Sequence, residues 1–345
     1  MQAQMHPPAT PDGAMGDGTM NEATAKRRQF RELLARDELL VMPGGFSPLL
    51  ARIAQDAGFE SYFIAGSQLC AFLYGYPDTG VMGMRDVVDH ARHVAARTDI
   101  PIFLDFDTGF GNAVNVWYAV QEAVRAGVAG LQIEDQEAPK KSGTSAGRRC
   151  IPVDEAVGKY RAAVAARDEI DREFVVCARC DALGATGETF ESALNRCVAY
   201  AEQGGVDLVW LNSVQSREQL KIACREIPVP VLTIWGGQGP APTLEEYREL
   251  GLRVVLYPTI AASSGMQAAW RVLHDFRRRG QAALADWAAQ VNAGPDGPAD
   301  YKTLSGIPKV MELERRFLAE DSRPDYESTW GHGGTLEQSG RQPPK

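Results

Sequence analysis

The sequence predicts an α/β protein, a (β/α)8 TIM barrel, on three observations. Short apolar runs alternate with amphipathic stretches, the order repeats eight times between Glu38 and Gly280, and polar residues collect where the apolar runs end. Eight strand-then-helix units in this length match the ~250 residues of such a barrel. A doubly wound dinucleotide-binding sheet is the competing topology. It wants a glycine-rich turn opening the first helix, and "PGGFSPLL" is a weak match.

The units follow one another along the chain. "ELLVMPG" precedes "SPLLARIAQDAG", "SYFIAG" precedes "MRDVVDHARHVAART", "PIFLDFD" precedes "AVNVWYAVQEAVRAG", and "AGLQIED" precedes "VDEAVGKYRAAVAARD". The second half continues with "EFVVCARCD" and "TFESALNRCVAYAEQG", "VDLVWLN" and "SREQLKIACRE", "VPVLTIW" and "TLEEYREL", then "RVVLYPT" and the long "MQAAWRVLHDFRRRG". Each first member reads as a strand buried on both faces, each second as a helix covering it. Residues 1–25, rich in Gly, Pro and Met without apolar periodicity, are expected to be a disordered tail. Residues 26–285 are expected to form the barrel, 286–320 a C-terminal helical extension, and 321–345 a second disordered tail.

Bulk properties narrow the partners. With 345 residues, 44% of them hydrophobic, the chain can bury a large core. A net charge of −9 argues against nucleic acid or an anionic membrane as partner and leaves small metabolites. No apolar run reaches spanning length and no secretory signal opens the chain, so a cytoplasmic location is expected. Cys70, Cys150, Cys177, Cys180, Cys197 and Cys224 lie in apolar segments and read as reduced, mostly buried thiols. Cys177 and Cys180 form a CxxC inside a strand, where alternation sends them to opposite faces, against a redox pair or zinc half-site.

In a barrel the chemistry sits at the C-terminal ends of the strands. There the chain places "AGSQ" and then Asp78 after strand two, Asp105 and Asp107 after strand three, and Glu134 and Asp135 after strand four. Arg179 and Asp181 follow strand five, Asn212 and Ser213 strand six, and "TIWGGQG" strand seven. Asp105 and Asp107, in "DFDTGFGN", are two apart on an extended segment, so both side chains point the same way, and Gly109 and Gly111 keep the mouth open. Converged carboxylates repel, and a hard divalent cation relieves the repulsion; the all-oxygen set suits Mg2+, or Mn2+. A lone DxD more often caps a helix or belongs to a surface turn. Glu134 and Asp78 at neighbouring strand ends select the metal reading. His6, His90, His93, His274 and His332 lie in tails or barrel helices, which disfavours a histidine-assisted mechanism.

With those residues in view, the chain resembles the isocitrate lyase and phosphoenolpyruvate mutase superfamily over roughly residues 35 to 285. The matching pieces are "PGGFSPLLARIAQDAGF", "AGSQLCAFLYGYPDTG", "DFDTGFGNAVNV", "AGVAGLQIEDQEAPKKSG" and "ARCDA". The resemblance implies Mg2+ held near Asp105, Asp107 and Glu134, often through water, with Asp78 beside it. It implies that Arg179 pairs with substrate carboxylate or developing enolate charge and that the backbone of Ala65, Gly66 and Ser67 cradles a carboxylate. Gly143 and Thr144 would contact substrate, and Ser142 or Lys141 would stand near the proton transfer; strands six and seven depart from the lyase pattern, offering Asn212 where lyases place a Glu and Trp235 as an aromatic wall of the substrate pocket or a structural residue. The resemblance also implies a homotetramer that exchanges the last barrel helix between neighbours.

The loop "PKKSGTSAGRRC", Pro139 to Cys150, departs from that pattern. Lyases of this kind carry Lys-Lys or Lys-Arg followed by Cys-Gly-His, and here Ser142 and Thr144 stand in those places. An alcohol titrates far above a thiol, so Ser142 is a poor acid or base unless a neighbour activates it. The substrate needs no proton from that side, another group such as Lys140 or Lys141 supplies it, or catalysis is lost; Cys150 reads as packing. The expected activity is Mg2+-dependent carbon–carbon cleavage of a 2-hydroxy di- or tricarboxylate to a 2-oxo acid. The alternatives are a decarboxylase, phosphonomutase or phosphonopyruvate hydrolase, and behind them a non-catalytic 2-oxo acid binder.

Overall fold

The computed structural model describes residues 17–295 and 299–326. Eight parallel strands close on themselves in chain order: β1 (Leu40–Gly45), β2 (Tyr62–Ile64), β3 (Ile102–Asp105), β4 (Gly130–Glu134), β5 (Val175–Cys180), β6 (Leu208–Leu211), β7 (Val231–Thr233) and β8 (Val254–Tyr257). Pairing of Leu40 with Val254 and of Pro43 with Tyr257 shuts the ring, so the fold is the expected (β/α)8 barrel. The helices are α1 (Asp17–Ala35), α2 (Pro48–Asp56), α3 (Gly66–Leu69), α4 (Met84–Ala95), α5 (Ala113–Arg125), α6 (Val153–Asp168) and α7 (Phe190–Glu202). Then come α8 (Arg217–Glu226), α9 (Leu244–Glu249), α10 (Ile260–Arg279), α11 (Gln281–Asn292), α12 (Tyr301–Ser305) and α13 (Ile307–Phe317). A π-helical turn, Cys70–Tyr74, extends α3.

The period-two geometry of the strands sorts side chains into two cores. Met42, Phe63, Phe103, Cys177, Trp210 and Leu256 pack inside the ring, while Ile64, Leu104, Ile133, Ala178, Cys180 and Leu211 face the helices. Cys177 and Cys180 are thereby separated as expected, and all six cysteines are free. Continued along the strands to the barrel's C-terminal mouth, the inward rows end in Asp105, Glu134, Arg179 and Asn212.

The other end of the barrel is closed by α1, which begins at Asp17 and so corrects the expected tail over residues 1–25. The helix is polar overall and carries little periodic signal. Only Phe30, Leu33 and Leu34 enter the inner core, where each contributes roughly 1.5–3 kcal/mol. Polar anchors hold the rest. Arg27 is fully buried, with Nη1 2.6 Å from Asp171 Oδ2 and Nε donating to Val128 O at 3.1 Å. Arg31 donates to Glu173 O at 2.9 Å and to Asp207 Oδ1 at 3.0 Å. These partners precede β4, β5 and β6, so α1 ties three strand starts together.

At the C-terminal side, α12 and α13 follow α11 in the segment expected to be helical, and Arg52 of α2 donates to Leu304 O at 2.7 Å. Helix α10 buries Ala262 and presents Met266, Trp270, Leu273 and Phe276 to solvent. The expected tails over 1–16 and 327–345 lie outside the described residues. Among the described residues no helix is long and apolar enough to cross a membrane.

Removing one partner of a buried ion pair strands the other. Arg27→Ala is therefore expected to lower the unfolding free energy by about 3–5 kcal/mol, read from the urea midpoint. A midpoint unchanged from wild type would exclude α1 from the cooperative unit.

Candidate active site

Four carboxylates meet at the barrel mouth. Asp105 and Glu134 end β3 and β4 and point inward by strand alternation. Asp107 arrives differently from the sequence expectation: its φ of 46° is left-handed, so a turn, not the pleat, swings it back beside Asp105. Asp105 is held in place, with Oδ2 accepting from Gly66 N at 3.0 Å and Oδ1 from Asp107 N at 3.3 Å and from Gln132 Nε2. Gly109 serves this turn and not an open mouth: its φ is +79°, and a Cβ there would lie 2.6 Å from Val116 Cγ2.

A lysine lies among the acids. Lys140 Nζ is 2.5 Å from Asp78 Oδ1, 2.7 Å from Asp107 Oδ1 and 3.9 Å from Glu134 Oε1, with its side chain 2% exposed. Burial works against this ammonium, but Glu134, Asp107, Asp105 and Asp78 overrule it and hold its pKa well above the usual lysine range. Burial pushes Asp107 up to about 6, against the pull of Lys140, with Asp105 and Asp78 adding to the rise. Glu134 is raised well above the usual range by complete burial.

Glu134 also supplies the test of a cation. Both its oxygens are buried without a hydrogen bond, and Oε2 is 3.3 Å from Arg179 Nη1 as an ion pair only. Asp78, Asp105, Asp107 and Glu134 outnumber the two cations, Lys140 and Arg179, and Arg179 is shared with Asp181, so the mouth presents a carboxylate-rich set. This fits a hard divalent cation. Among the described residues no three such side chains converge closely enough to hold an ion alone, so water or substrate oxygens would complete its shell.

Arg179 is the fixed cation. Its guanidinium lies 4.4 Å above the Trp210 ring and donates through Nη2 to Asp181 Oδ1 at 3.1 Å. Asn212 Nδ2 bridges the same Asp181 oxygen to Gly143 O, the latter at 3.0 Å. On the outer face of β4 the neighbouring Asp135 accepts from Asp181 N at 2.8 Å and Tyr200 OH at 2.7 Å, a structural role that also engages Cys150 Sγ at 3.6 Å.

The covering loop is closed over this mouth. Gly143 O accepts from Asn212, from Ser213 Oγ at 3.4 Å and from Arg148. A Cβ on Gly143 would overlap Arg179 Nη2 and lie 2.8 Å from Asn212 Nδ2, so any side chain there requires Arg179 and Asn212 to shift or the loop to lift. Gln136 grips the backbone of Lys141 at both N and O, each at 2.9 Å. That grip turns Lys140 inward and leaves Lys141 exposed, so Lys140, and not Lys141 as expected, joins the site.

Other expected site residues are placed as follows. Ser142 is half-buried and Thr144 exposed. Ala65 caps α3, Gly66 spends its N–H on Asp105, and Ser67 is half-buried. Trp235 donates to Gly239 O at 3.1 Å and lies 5.8 Å from the Arg217 guanidinium, contacts of its own loop and of α8. Gln132 and Gln136 in the mouth, and Arg148 behind the loop, are polar residues that sequence reasoning missed. Gln132 was within reach, being two residues before Glu134 on the same strand face.

Comparison with known proteins agrees with this architecture. A model of the family described as phosphoenolpyruvate phosphomutase matches residues 30–277. A 2,3-dimethylmalate lyase from Eubacterium barkeri is 33% identical over 84% of this chain and 97% of its own. A 2-methylisocitrate lyase from Aeropyrum pernix is 33% identical over 73% of this chain and 80% of its own. Among solved structures, oxaloacetate acetylhydrolase in complex with the inhibitor 3,3-difluorooxalacetate superposes with a TM-score of 0.75 at 30% identity, covering 85% of this chain and 97% of that one. Phosphonopyruvate hydrolase with oxalate and Mg2+ gives 0.72 at 29% identity, covering 85% and 99%.

Gly143→Ala adds one methyl group where the closed loop meets Arg179. Trypsin is expected to cut near Lys140 or Lys141 faster in this variant, while the thermal midpoint of the barrel stays at the wild-type value. Equal cutting rates would mean that the loop is held by contacts other than this close approach.

Proposed function

The chain belongs to the phosphoenolpyruvate phosphomutase family of the isocitrate lyase superfamily, and from that premise we propose that it is a carbon–carbon lyase acting on a 2-hydroxy di- or tricarboxylate. The substrate resembles isocitrate, 2-methylisocitrate or dimethylmalate, and the products are a 2-oxo acid and a second carboxylate. The observation that carries the reading is the acid cluster, its carboxylates outnumbering their cations, facing the buried Arg179 across one mouth.

In this reading Asp105, Asp107 and Glu134 hold Mg2+, or Mn2+, with Asp78 beside them. A cation bound there would supply positive charge to the oxygens of a 2-oxo acid. Arg179, braced by Trp210, Glu134 and Asp181, is oriented before substrate arrives and neutralises carboxylate or enolate charge as it develops. The hydroxyl proton leaves, the carbon–carbon bond breaks, and its electron pair stays on the carbon next to the second carboxylate until a proton reaches it. Ser142 stands on the loop nearest that proton transfer, and Gly143, Thr144 and Asn212 form the substrate side of the closed loop. The chain backbone at Ala65, Gly66 and Ser67 would line the acid side, and Trp235, bridged to Val214, would wall the side of Asn212.

A second reading, cleavage of a 2-oxo acid such as oxaloacetate or phosphonopyruvate, is favoured by one feature. The loop carries an alcohol at Ser142 where the lyases carry a thiol, and an alcohol needs an activating neighbour to move a proton. The six free cysteines suit a reducing compartment, and the cytoplasm is the proposed location. We also propose a homotetramer in which the exposed Trp270 and Leu273 of α10 are covered by a neighbour, a state that light scattering after gel filtration reads directly.

Proton NMR of the protein with isocitrate, 2-methylisocitrate, dimethylmalate, citramalate and oxaloacetate, with Mg2+ and again with a chelator, tests the reading. Metal-dependent loss of one hydroxy acid with a 2-oxo acid appearing is the expected result; consumption of oxaloacetate alone favours the second reading. Arg179→Lys, which keeps the charge and loses the planar fork, is expected to lower kcat roughly 10²–10³-fold. A wild-type rate in that variant removes Arg179 from the chemistry.

A further inference from the structure

Arg148 belongs to the covering loop but lies behind it, away from the acids. Its side chain is 4% exposed. It donates in two directions, through Nη1 to Gly143 O and at 3.0 Å to Ser145 O within the loop, and through Nη2 at 2.8 Å to Leu183 O in the segment after β5. Thr186 N returns a hydrogen bond to Arg148 O at 3.0 Å, so backbone and side chain both cross the gap. Asp181, at the end of β5, is held below the usual carboxylate range despite burial, by Arg179 first, with Gln136 and Arg148 adding.

Apolar burial adds little to hold the loop down. Gly143 to Gly147, "GTSAG", has almost no apolar surface to bury, and segments of that kind open readily. Of its other anchors, Gln136 holds the Lys141 backbone and Ser213 meets Gly143 O, while Lys140 and Asn212 lie within the mouth, where cation and substrate would compete for them. Arg148 faces no such competition, and the rigid planar fork of a guanidinium holds two acceptors in fixed directions, a geometry the compact ammonium of a lysine does not reproduce.

We propose that Arg148 is a positioning residue: it latches the covering loop to the segment after β5 and so sets Gly143 against Asn212 and Arg179 in the closed site. It touches neither substrate nor reacting atoms. The proposal rests on the reading of this mouth as a 2-oxo acid site only for its effect on turnover; the latch itself is a property of the unliganded chain.

The test is hydrogen exchange of the full-length protein, followed by mass spectrometry, for wild type, Arg148→Ala and Arg148→Lys. With no ligand added, peptides covering residues 139–150 are expected to exchange about tenfold faster in both variants, the scale of a lost charge-assisted hydrogen bond, while the strand peptides keep wild-type rates. Mg2+ with oxalate is expected to slow exchange in the wild-type loop and much less in the variants. On whichever substrate is found, kcat is expected to fall about tenfold with KM nearly unchanged. Wild-type exchange of the loop in Arg148→Lys overturns the latch, as does acceleration spread equally over the strands, which marks a purely structural residue. Because the unliganded arm uses no substrate, failure of the lyase reading leaves that arm intact and the two failures are told apart.

Discussion

Four carboxylates in one barrel mouth cannot all stay ionised without compensating charge, and the local structure is organised around that constraint. The chain answers with two cations of different kinds. Arg179 stands on a strand, stacked on Trp210 and paired with Glu134 and Asp181, and cannot move far. Lys140 stands on a loop and, with that loop closed, reaches Asp78 and Asp107. Position of the loop and charge of the site are therefore parts of one balance, with Glu134, whose two buried oxygens accept no hydrogen bond, marking where it is incomplete.

The division between rigid and movable parts follows the fold. Strand ends contribute Asp105, Gln132, Glu134, Arg179 and Asn212, whose directions are fixed by alternation within a closed ring. The loop contributes groups whose placement depends on a handful of polar anchors, converging on Gly143 O and on the backbone of Lys141. At the opposite end, α1 plugs the barrel with three apolar residues and two arginines, so the movable cover is confined to the mouth.

The fold was legible because a parallel strand buried on both faces leaves an apolar run, and eight of them in alternation with helices leave few other topologies. The strand-end acids were legible for a related reason: charge directly after an apolar run has no structural purpose that a barrel core would supply. Helix α1 was not legible, since its anchors are arginine contacts to distant carbonyls such as Val128 O, and its composition looks like that of a polar tail. Lys140 and Lys141 were equally hidden, because adjacent lysines are indistinguishable until the Gln136 side chain decides which one turns inward.

By itself the sequence determined the barrel, the strand ends carrying Asp105, Glu134 and Arg179, and the separation of Cys177 from Cys180, all consequences of a two-residue period that acts within one strand. The tertiary structure alone decided how Asp107 returns to the cluster through a left-handed turn, that Lys140 balances it, and that Gly143 seats on Arg179. The physical reason is range: alternation is local and survives in the order of residues, whereas charge balance and close packing depend on groups that only folding brings within a few ångströms.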